Sequence, residues 1–237
     1  MLFSRLLDTV PSLCAICRGW GVQRVCAACV QRYGAPLSRC RRCALQVPAA
    51  SGSAVCGACL TDPPPYASTV AAVDYDHPWD GLITQFKFHA ALDLTPALAA
   101  QMLAALQRRD APAPKLLLPI PLSDTRLRER GYNQAWELAR RLGRALHCPT
   151  DARLLLRVRD TPHQLAFPPQ KRAGNVRAAF AVEPRRRAEL QGRSVTLVDD
   201  VMTTGATVAE AARTLLQAGA AEVGVWVIAR TQRHDDA

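Results

Sequence analysis

Four C-x-x-C pairs crowd the front of this 237-residue chain: Cys14/Cys17, Cys26/Cys29, Cys40/Cys43 and Cys56/Cys59, separated by 8, 10 and 12 residues. A C-x-x-C turn presents two thiolates to one ion, and two such turns complete a tetrahedral four-sulfur site. Eight ligands therefore fit two structural sites, for which Zn²⁺ is the expected ion. Closing neighbouring pairs costs less loop entropy than closing distant ones, which favours first with second and third with fourth, although an interleaved arrangement uses the same ligands. A disulfide framework would need an oxidising compartment. The apolar stretch from Leu6 to Val10 is interrupted by Asp8 and stopped by Pro11, and no small-residue cleavage pattern precedes Cys14. That is not a secretory signal, and the expected location is cytoplasmic, with reduced thiols. A redox-active C-x-x-C needs one pair rather than four, and Cys148, standing alone, reads as a buried thiol without chemistry.

Composition changes after Asp62-Pro63-Pro64-Pro65, a stretch that no helix or strand interior tolerates. The expected organisation is a double zinc ribbon over 1–62, a Pro-rich linker over 63–68, and a larger domain over 69–237, each domain with its own core. In the larger part, short apolar runs alternate with amphipathic ones. Strands are expected at Thr69–Tyr75, Lys115–Ile120, Ser194–Asp199 and Val223–Ala229. Helices are expected at Trp79–Phe88, at Pro96–Gln107 behind a Thr95 cap, at Gln134–Leu146 behind an Asn133 cap, and at Thr207–Ala218 before Gly219. Strands separated by helices imply right-handed crossovers and an α/β fold, a mainly parallel sheet flanked by helices. Apolar runs as short as Val223–Ala229 are far below the roughly 20 residues that span a bilayer. Pro121–Gly131 and Arg157–Val176 lack periodicity and read as long loops, the kind that carry function.

Charge sharpens this picture. The net charge is +10, built from 27 Arg against three Lys (Lys87, Lys115 and Lys171); residues 120–193 carry +9 and residues 194–237 carry −3. Such a split suits a phosphorylated ligand or a nucleic-acid-facing surface. Arg39, Arg41 and Arg42 in the cysteine region can touch nucleic acid or simply face solvent. No G-x-x-x-x-G-K-[ST] and no G-x-G-x-x-G is present, which disfavours P-loop ATPases and dehydrogenases.

The most informative stretch runs from Val195 to Thr207. An apolar strand delivers Asp199 and Asp200, and Thr203-Thr204-Gly205-Ala206-Thr207 then opens a helix. Ligands of open parallel sheets bind at that end of the strands. Backbone N–H groups and the positive helix end suit a phosphate monoester, and the carboxylates suit sugar hydroxyls. This segment resembles the PRPP-binding motif of type I phosphoribosyltransferases. The resemblance implies that Asp199 and Asp200 hold the ribose and that Thr203, Thr204, Gly205, Ala206 and Thr207 hold the 5-phosphate.

With the cysteine pairs, and with Leu82–Phe88, Leu118–Leu122, Arg126–Gln134 and Arg172–Asn175, the chain resembles the ComF family of ComFC-like and GntX-like proteins along almost its whole length. That likeness implies a pyrophosphate loop with Pro119, Ile120, Pro121, Arg126, Arg128 and Arg130. It also implies a mobile loop with Arg157, Thr161, Gln164, Arg172 and Asn175, and a hood from which Lys87 can reach the site; Lys87 can equally snorkel to the surface. The implied function is a PRPP-binding, phosphoribosyltransferase-like protein of DNA uptake or utilisation, using Mg²⁺ with PRPP. If it catalyses, a nitrogen nucleophile displaces pyrophosphate; no motif identifies that acceptor or the oligomeric state. The alternative is a non-catalytic adaptor that binds single-stranded DNA or a helicase or recombination partner and uses PRPP or a nucleotide as a regulatory ligand. Elemental analysis of metal-replete protein should return two zinc ions per chain, and a value near zero would remove the ribbon assignment.

Overall fold

The computed structural model describes residues 11–48, 54–111, 113–159 and 178–232. The cysteine-rich segment opens with a short antiparallel pair, β1 (Ser12–Leu13) and β2 (Trp20–Gly21), followed by helix α1 (Ala27–Tyr33) and, further on, α2 (Gly57–Thr61). Both helices start directly after the third cysteine of a set, Cys26 and Cys56, which act as their N-caps. The four pairs are thus two copies of one arrangement.

The larger segment runs β3 (Ser68–Asp74), α3 (Trp79–Phe88), α4 (Thr95–Arg108), β4 (Leu117–Pro119), α5 (Asp124–Arg130), α6 (Gln134–Leu146), β5 (Leu155–Arg157), β6 (Phe180–Val182), β7 (Ser194–Met202), α7 (Ala206–Gln217) and β8 (Glu222–Arg230). Four strands form one sheet in the order β3-β8-β7-β4, every neighbour parallel. Strands β5 and β6 make a separate antiparallel pair. Because side chains alternate along a strand, each strand feeds two cores. Val70, Val198, Trp226 and Ile228 face α3, α4 and α6 through Phe86, Leu98, Leu138 and Leu142. Ala71, Leu197, Val225 and Val227 face α7 through Val208, Ala211 and Leu215. Both faces are covered, which explains why the strands read as unbroken apolar runs.

Several expectations change. The Arg-rich Pro121–Gly131 stretch contains α5, started by Ser123, whose side chain accepts from the Arg126 N–H, and ended by left-handed Gly131. Helix α6 is capped as expected, Asn133 Oδ1 accepting from the N–H groups of Ala135 and Trp136. Thr95, in contrast, is no cap: it lies inside α4, after a 3₁₀ turn at Leu92–Leu94, and its hydroxyl donates to the Leu92 carbonyl at 2.6 Å. Strand β7 continues to Met202, so Asp199 and Asp200 sit within its pairing with β8 rather than beyond it.

The cores also differ from expectation. Cys14, Val25 and Cys29 pack into the same cluster as Trp79, Leu82 and Phe86, and the Trp79 indole donates to the Tyr33 carbonyl at 2.7 Å. The first cysteine set is therefore continuous with the sheet's core, while Cys40, Cys43, Leu45 and Cys59 form a small cluster of their own. Val25→Ala, although far from the sheet in sequence, should cost about 2 kcal/mol in the sheet's own unfolding. Thermal melts followed by near-UV circular dichroism check this, and an unchanged sheet transition would mean independent cores.

Candidate functional site

Two four-cysteine groups assemble in sequential order, Cys14, Cys17, Cys26 and Cys29 in one and Cys40, Cys43, Cys56 and Cys59 in the other, with the sulfurs of each group within 4.8 Å of one another. The Sγ atoms of Cys14 and Cys29 are 3.8 Å apart, those of Cys17 and Cys26 3.8 Å, and those of Cys43 and Cys56 3.6 Å. A tetrahedron with metal–sulfur bonds of about 2.3 Å has edges of about 3.8 Å, so the sulfurs already stand where a divalent metal needs them. They are too far apart for disulfides, whose sulfurs lie about 2.05 Å apart. In each group the N–H of the third cysteine points at the sulfur of the first: Cys26 to Cys14 at 3.4 Å and Cys56 to Cys40 at 3.3 Å. Burial pushes these first thiols up, but backbone N–H groups more than offset it and hold Cys14 at about 6 and Cys40 at about 7, which favours the thiolate a metal binds. Cys148 is half-buried and its thiol donates to the Pro114 carbonyl, consistent with a structural role.

The second constellation gathers at the carboxyl end of the sheet. Asp200 is buried, 2% exposed, and its Oδ1 lies 3.0 Å from Lys87 Nζ at the last turn of α3. Burial opposes the charge on Lys87, yet Asp200 and then Asp199 reverse that effect and raise its affinity for a proton. Lys87 therefore turns inward rather than snorkelling. Asp199 is half-buried, and burial together with the neighbouring Asp200 charge pushes its carboxyl up to about 7. Lys87 and Arg157 pull the other way. One further oxygen, Asp200 Oδ2, is buried with no hydrogen-bond partner among the described residues.

Beyond the carboxylates the chain turns at Thr203-Thr204-Gly205. Gly205 has φ +83°, and a Cβ there would stand 2.7 Å from Met202 Cε and 3.1 Å from the Tyr66 hydroxyl. The left-handed backbone is what requires glycine, and the close neighbours leave little room beside it. Thr204 Oγ1 accepts from the Ala206 N–H at 3.3 Å, and Ala206 and Thr207 open the first turn of α7. On the other side, Ile120 donates its N–H to the Val198 carbonyl at 2.9 Å, so Pro119-Ile120-Pro121 leaves the sheet beside the acidic pair. Asn133 Nδ2 pins the Ile120 carbonyl at 3.0 Å.

Helix geometry sorts the three expected arginines. Arg126 and Arg130, one turn apart on α5, join Lys87, Phe88 and Tyr132 around a cavity of about 210 Å³. Arg130 stacks 5.1 Å from the Phe88 ring and donates to Gln134. Arg128 lies outside that cavity, its Nε donating to the Asp124 carbonyl at 3.2 Å; the structure does not bring it to the others. Arg157 stacks on Phe180 at 5.5 Å. Thr161, Gln164, Arg172 and Asn175 lie outside the described residues.

Three residues at the site were given no role from the sequence. Tyr66 is buried against the Gly205 turn, and Tyr132 donates its hydroxyl to the Phe86 carbonyl beside Lys87. Arg230, 3% exposed, donates to the carbonyls of Met202, Thr203 and Cys43. A charged residue directly behind an apolar strand was the one available signal for Arg230; its register opposite Met202 is visible only in three dimensions.

A parallel sheet with paired carboxylates and a Thr-Gly turn at its carboxyl end defines a phosphoribosyltransferase-type domain, here joined to two four-cysteine modules. Residues 127–236 match the phosphoribosyl transferase domain family. The chain is 38% identical over 233 residues to DNA utilization protein YhgH of Salmonella typhi, covering 94% of this chain and 99% of that one. It is 35% identical over 181 residues to competence protein F of Haemophilus influenzae, 74% and 78% of the two chains. Against competence protein ComFC of Bacillus subtilis it is 30% identical over 150 residues, 63% and 58%. The chain belongs to this ComF family of competence and DNA utilization proteins. Among the described residues, no helix is long and apolar enough to cross a membrane.

Removing one partner from the buried pair leaves an uncompensated charge. Lys87→Met should therefore destabilise the fold by about 3 kcal/mol, and adding Asp200→Asn should recover most of the loss. Urea denaturation of the two single variants and the double variant measures that coupling; simple additivity would show the pair to be incidental.

Proposed function

We propose that the chain binds PRPP at the carboxyl end of its sheet and acts in DNA uptake or utilisation, with zinc in both four-cysteine groups. The observation that carries this reading is the arrangement of Asp199 and buried Asp200 next to a turn whose left-handed Gly205 opens α7. In this reading the carboxylates accept from the ribose 2- and 3-hydroxyls, and the orphaned Asp200 Oδ2 is the acceptor a ligand donor would complete. The turn from Thr203 to Thr207 donates N–H and hydroxyl groups to the 5-phosphate. Pro119-Ile120-Pro121 and the Arg126/Arg130 side of α5 face the pyrophosphate, with Arg128 turned elsewhere. Arg157 and the segment holding Thr161, Gln164, Arg172 and Asn175 close over the ligand. Mg²⁺ bound with PRPP supplies charge neutralisation at the pyrophosphate; the protein's own part is to position the anomeric carbon, place cations near the leaving group and exclude water.

The double variant Asp199→Asn/Asp200→Asn should lose PRPP binding in the presence of Mg²⁺ by at least about a hundredfold, because each amide replaces an acceptor oxygen with a donor. Isothermal titration of the folded variant, judged by circular dichroism, provides the check, and wild-type affinity would remove the PRPP assignment. If PRPP binds the wild-type chain but no base or amine releases pyrophosphate from it, the protein is an adaptor in which PRPP is a regulatory ligand, and single-stranded DNA and helicase partners become the next probes.

A further inference from the structure

The carbonyls of Met202 and Thr203 enter the Thr-Gly turn, and a turn of this kind is only as rigid as whatever satisfies its carbonyls. Here one buried guanidinium reaches both, joined at Met202 by the Thr231 N–H at 3.1 Å. Arg230 Nη1 donates to the carbonyls of Met202 (3.0 Å), Thr203 and Thr231 (2.7 Å), while its Nε donates to the carbonyl of Cys43 at 2.8 Å. Cys43 is a member of the second four-cysteine group. The same guanidinium therefore holds a residue of that group and the entrance to the turn.

Other contacts dock the second cysteine module at the same place. Arg39 Nη1 lies 2.8 Å from Asp74 Oδ1 at the end of β3, the Gln46 N–H donates to Gln232 Oε1 at 3.1 Å, and Gln46 Nε2 donates to Asp74. A cavity of about 390 Å³ separates the two parts, with Cys43, Cys59, Tyr66, Thr204, Gly205 and Arg230 on its wall. Nothing comparable links the first cysteine set to the turn among the described residues; its contacts go to the core behind α3.

We propose that Arg230 is a positioning residue that makes the second four-cysteine group part of the phosphate-binding turn, so that metal held there and a phosphate held at Thr203–Thr207 strengthen each other's binding. A bound metal fixes the Cys40–Cys43 loop and hence the Cys43 carbonyl. With that carbonyl fixed, the guanidinium has one orientation in which all its acceptors are satisfied, and the turn is held with its N–H groups pointing outward. Loss of the metal releases the Cys43 carbonyl, and Arg230 then loses the anchor that fixes its Nε. Lysine cannot replace it, because an ammonium lacks the planar fork that spans acceptors on two chain segments. Coupling between sites is reciprocal in affinity, so ligand at the turn must also tighten metal binding at the second group and leave the first unaffected; because the coupling acts by holding the Cys43 loop, it is expected to appear as slower metal release.

This inference rests on reading the turn as the 5-phosphate site, and the test separates the two. Zinc release to an excess of chelator is followed in the wild-type chain with and without PRPP and Mg²⁺, and the second group's phase is identified as the one missing in Cys56→Ser. PRPP should slow that phase about tenfold and leave the other unchanged. Arg230→Lys should keep both zinc ions, bind PRPP about tenfold more weakly and show no protection. Equal protection of both phases, protection of neither by a ligand that does bind, or wild-type PRPP affinity in Arg230→Lys would overturn the coupling. Should the wild-type chain not bind PRPP at all, the functional reading falls and the coupling is read without ligand. Amide exchange at Thr203–Ala206 should then quicken about tenfold when the second metal is stripped, with exchange in α6 unchanged; no change at the turn would overturn it.

Discussion

A sheet whose four strands all run the same way, with helices on both faces, has one place left for polar chemistry. Its faces are sealed by Phe86, Leu98, Leu138 and Trp226 on one side and by Val208, Ala211, Leu215 and Val225 on the other. The strands' carboxyl ends alone combine backbone groups without ladder partners with access to a ligand. Four unusual features collect there: an acidic pair inside a strand, a lysine turned into the protein, a left-handed glycine, and a buried arginine whose donors meet main-chain carbonyls. The crossover connections bring those groups together from positions as far apart in sequence as Lys87 and Arg230.

Electrostatics at this end are arranged around scarcity of water. Asp200 is buried, and Lys87 stands 3.0 Å from its carboxylate. Asp199, next along the strand, receives less help and holds its proton up to about 7. Two adjacent carboxylates thus have different surroundings, one paired with a lysine and the other pushed up by burial and by its neighbour's charge. Arg126 and Arg130 share a small cavity with Lys87, so three cations and one anion, Glu129, stand on its wall beside the acidic pair.

Much of this was legible in the residues. The pairing order of the cysteines followed from loop entropy, and the α3 and α6 boundaries followed from periodicity and, for α6, from the Asn133 cap. The acidic strand and its turn announced themselves by composition. What was not legible has physical causes. Helix α5 has a single apolar residue, the exposed Leu127, so it has no hydrophobic stripe to detect; Ser123 and Gly131 were its signals, and they stand in a stretch whose charge drew attention first. The merging of the first cysteine set with the sheet's core depends on Val25 and Trp79 meeting across more than fifty residues, which no local pattern encodes. Arg230 was not singled out because its acceptors are main-chain carbonyls, and carbonyls leave no mark in a sequence.

An open sheet also has two outer strands, and unpaired strand edges invite other chains to add to them. Here β4 is only three residues long, and its outer side is taken by Pro149 and Asp151, which exchange hydrogen bonds with Leu117. On the opposite side, the Thr69 N–H of β3 is capped by the carbonyl of Arg41, a residue between two cysteines of the second group. The cysteine module thus acts as a guard on the sheet's flank. A chain made under metal shortage would bare this stretch of the β3 edge, so self-association would accompany the loosening of the turn.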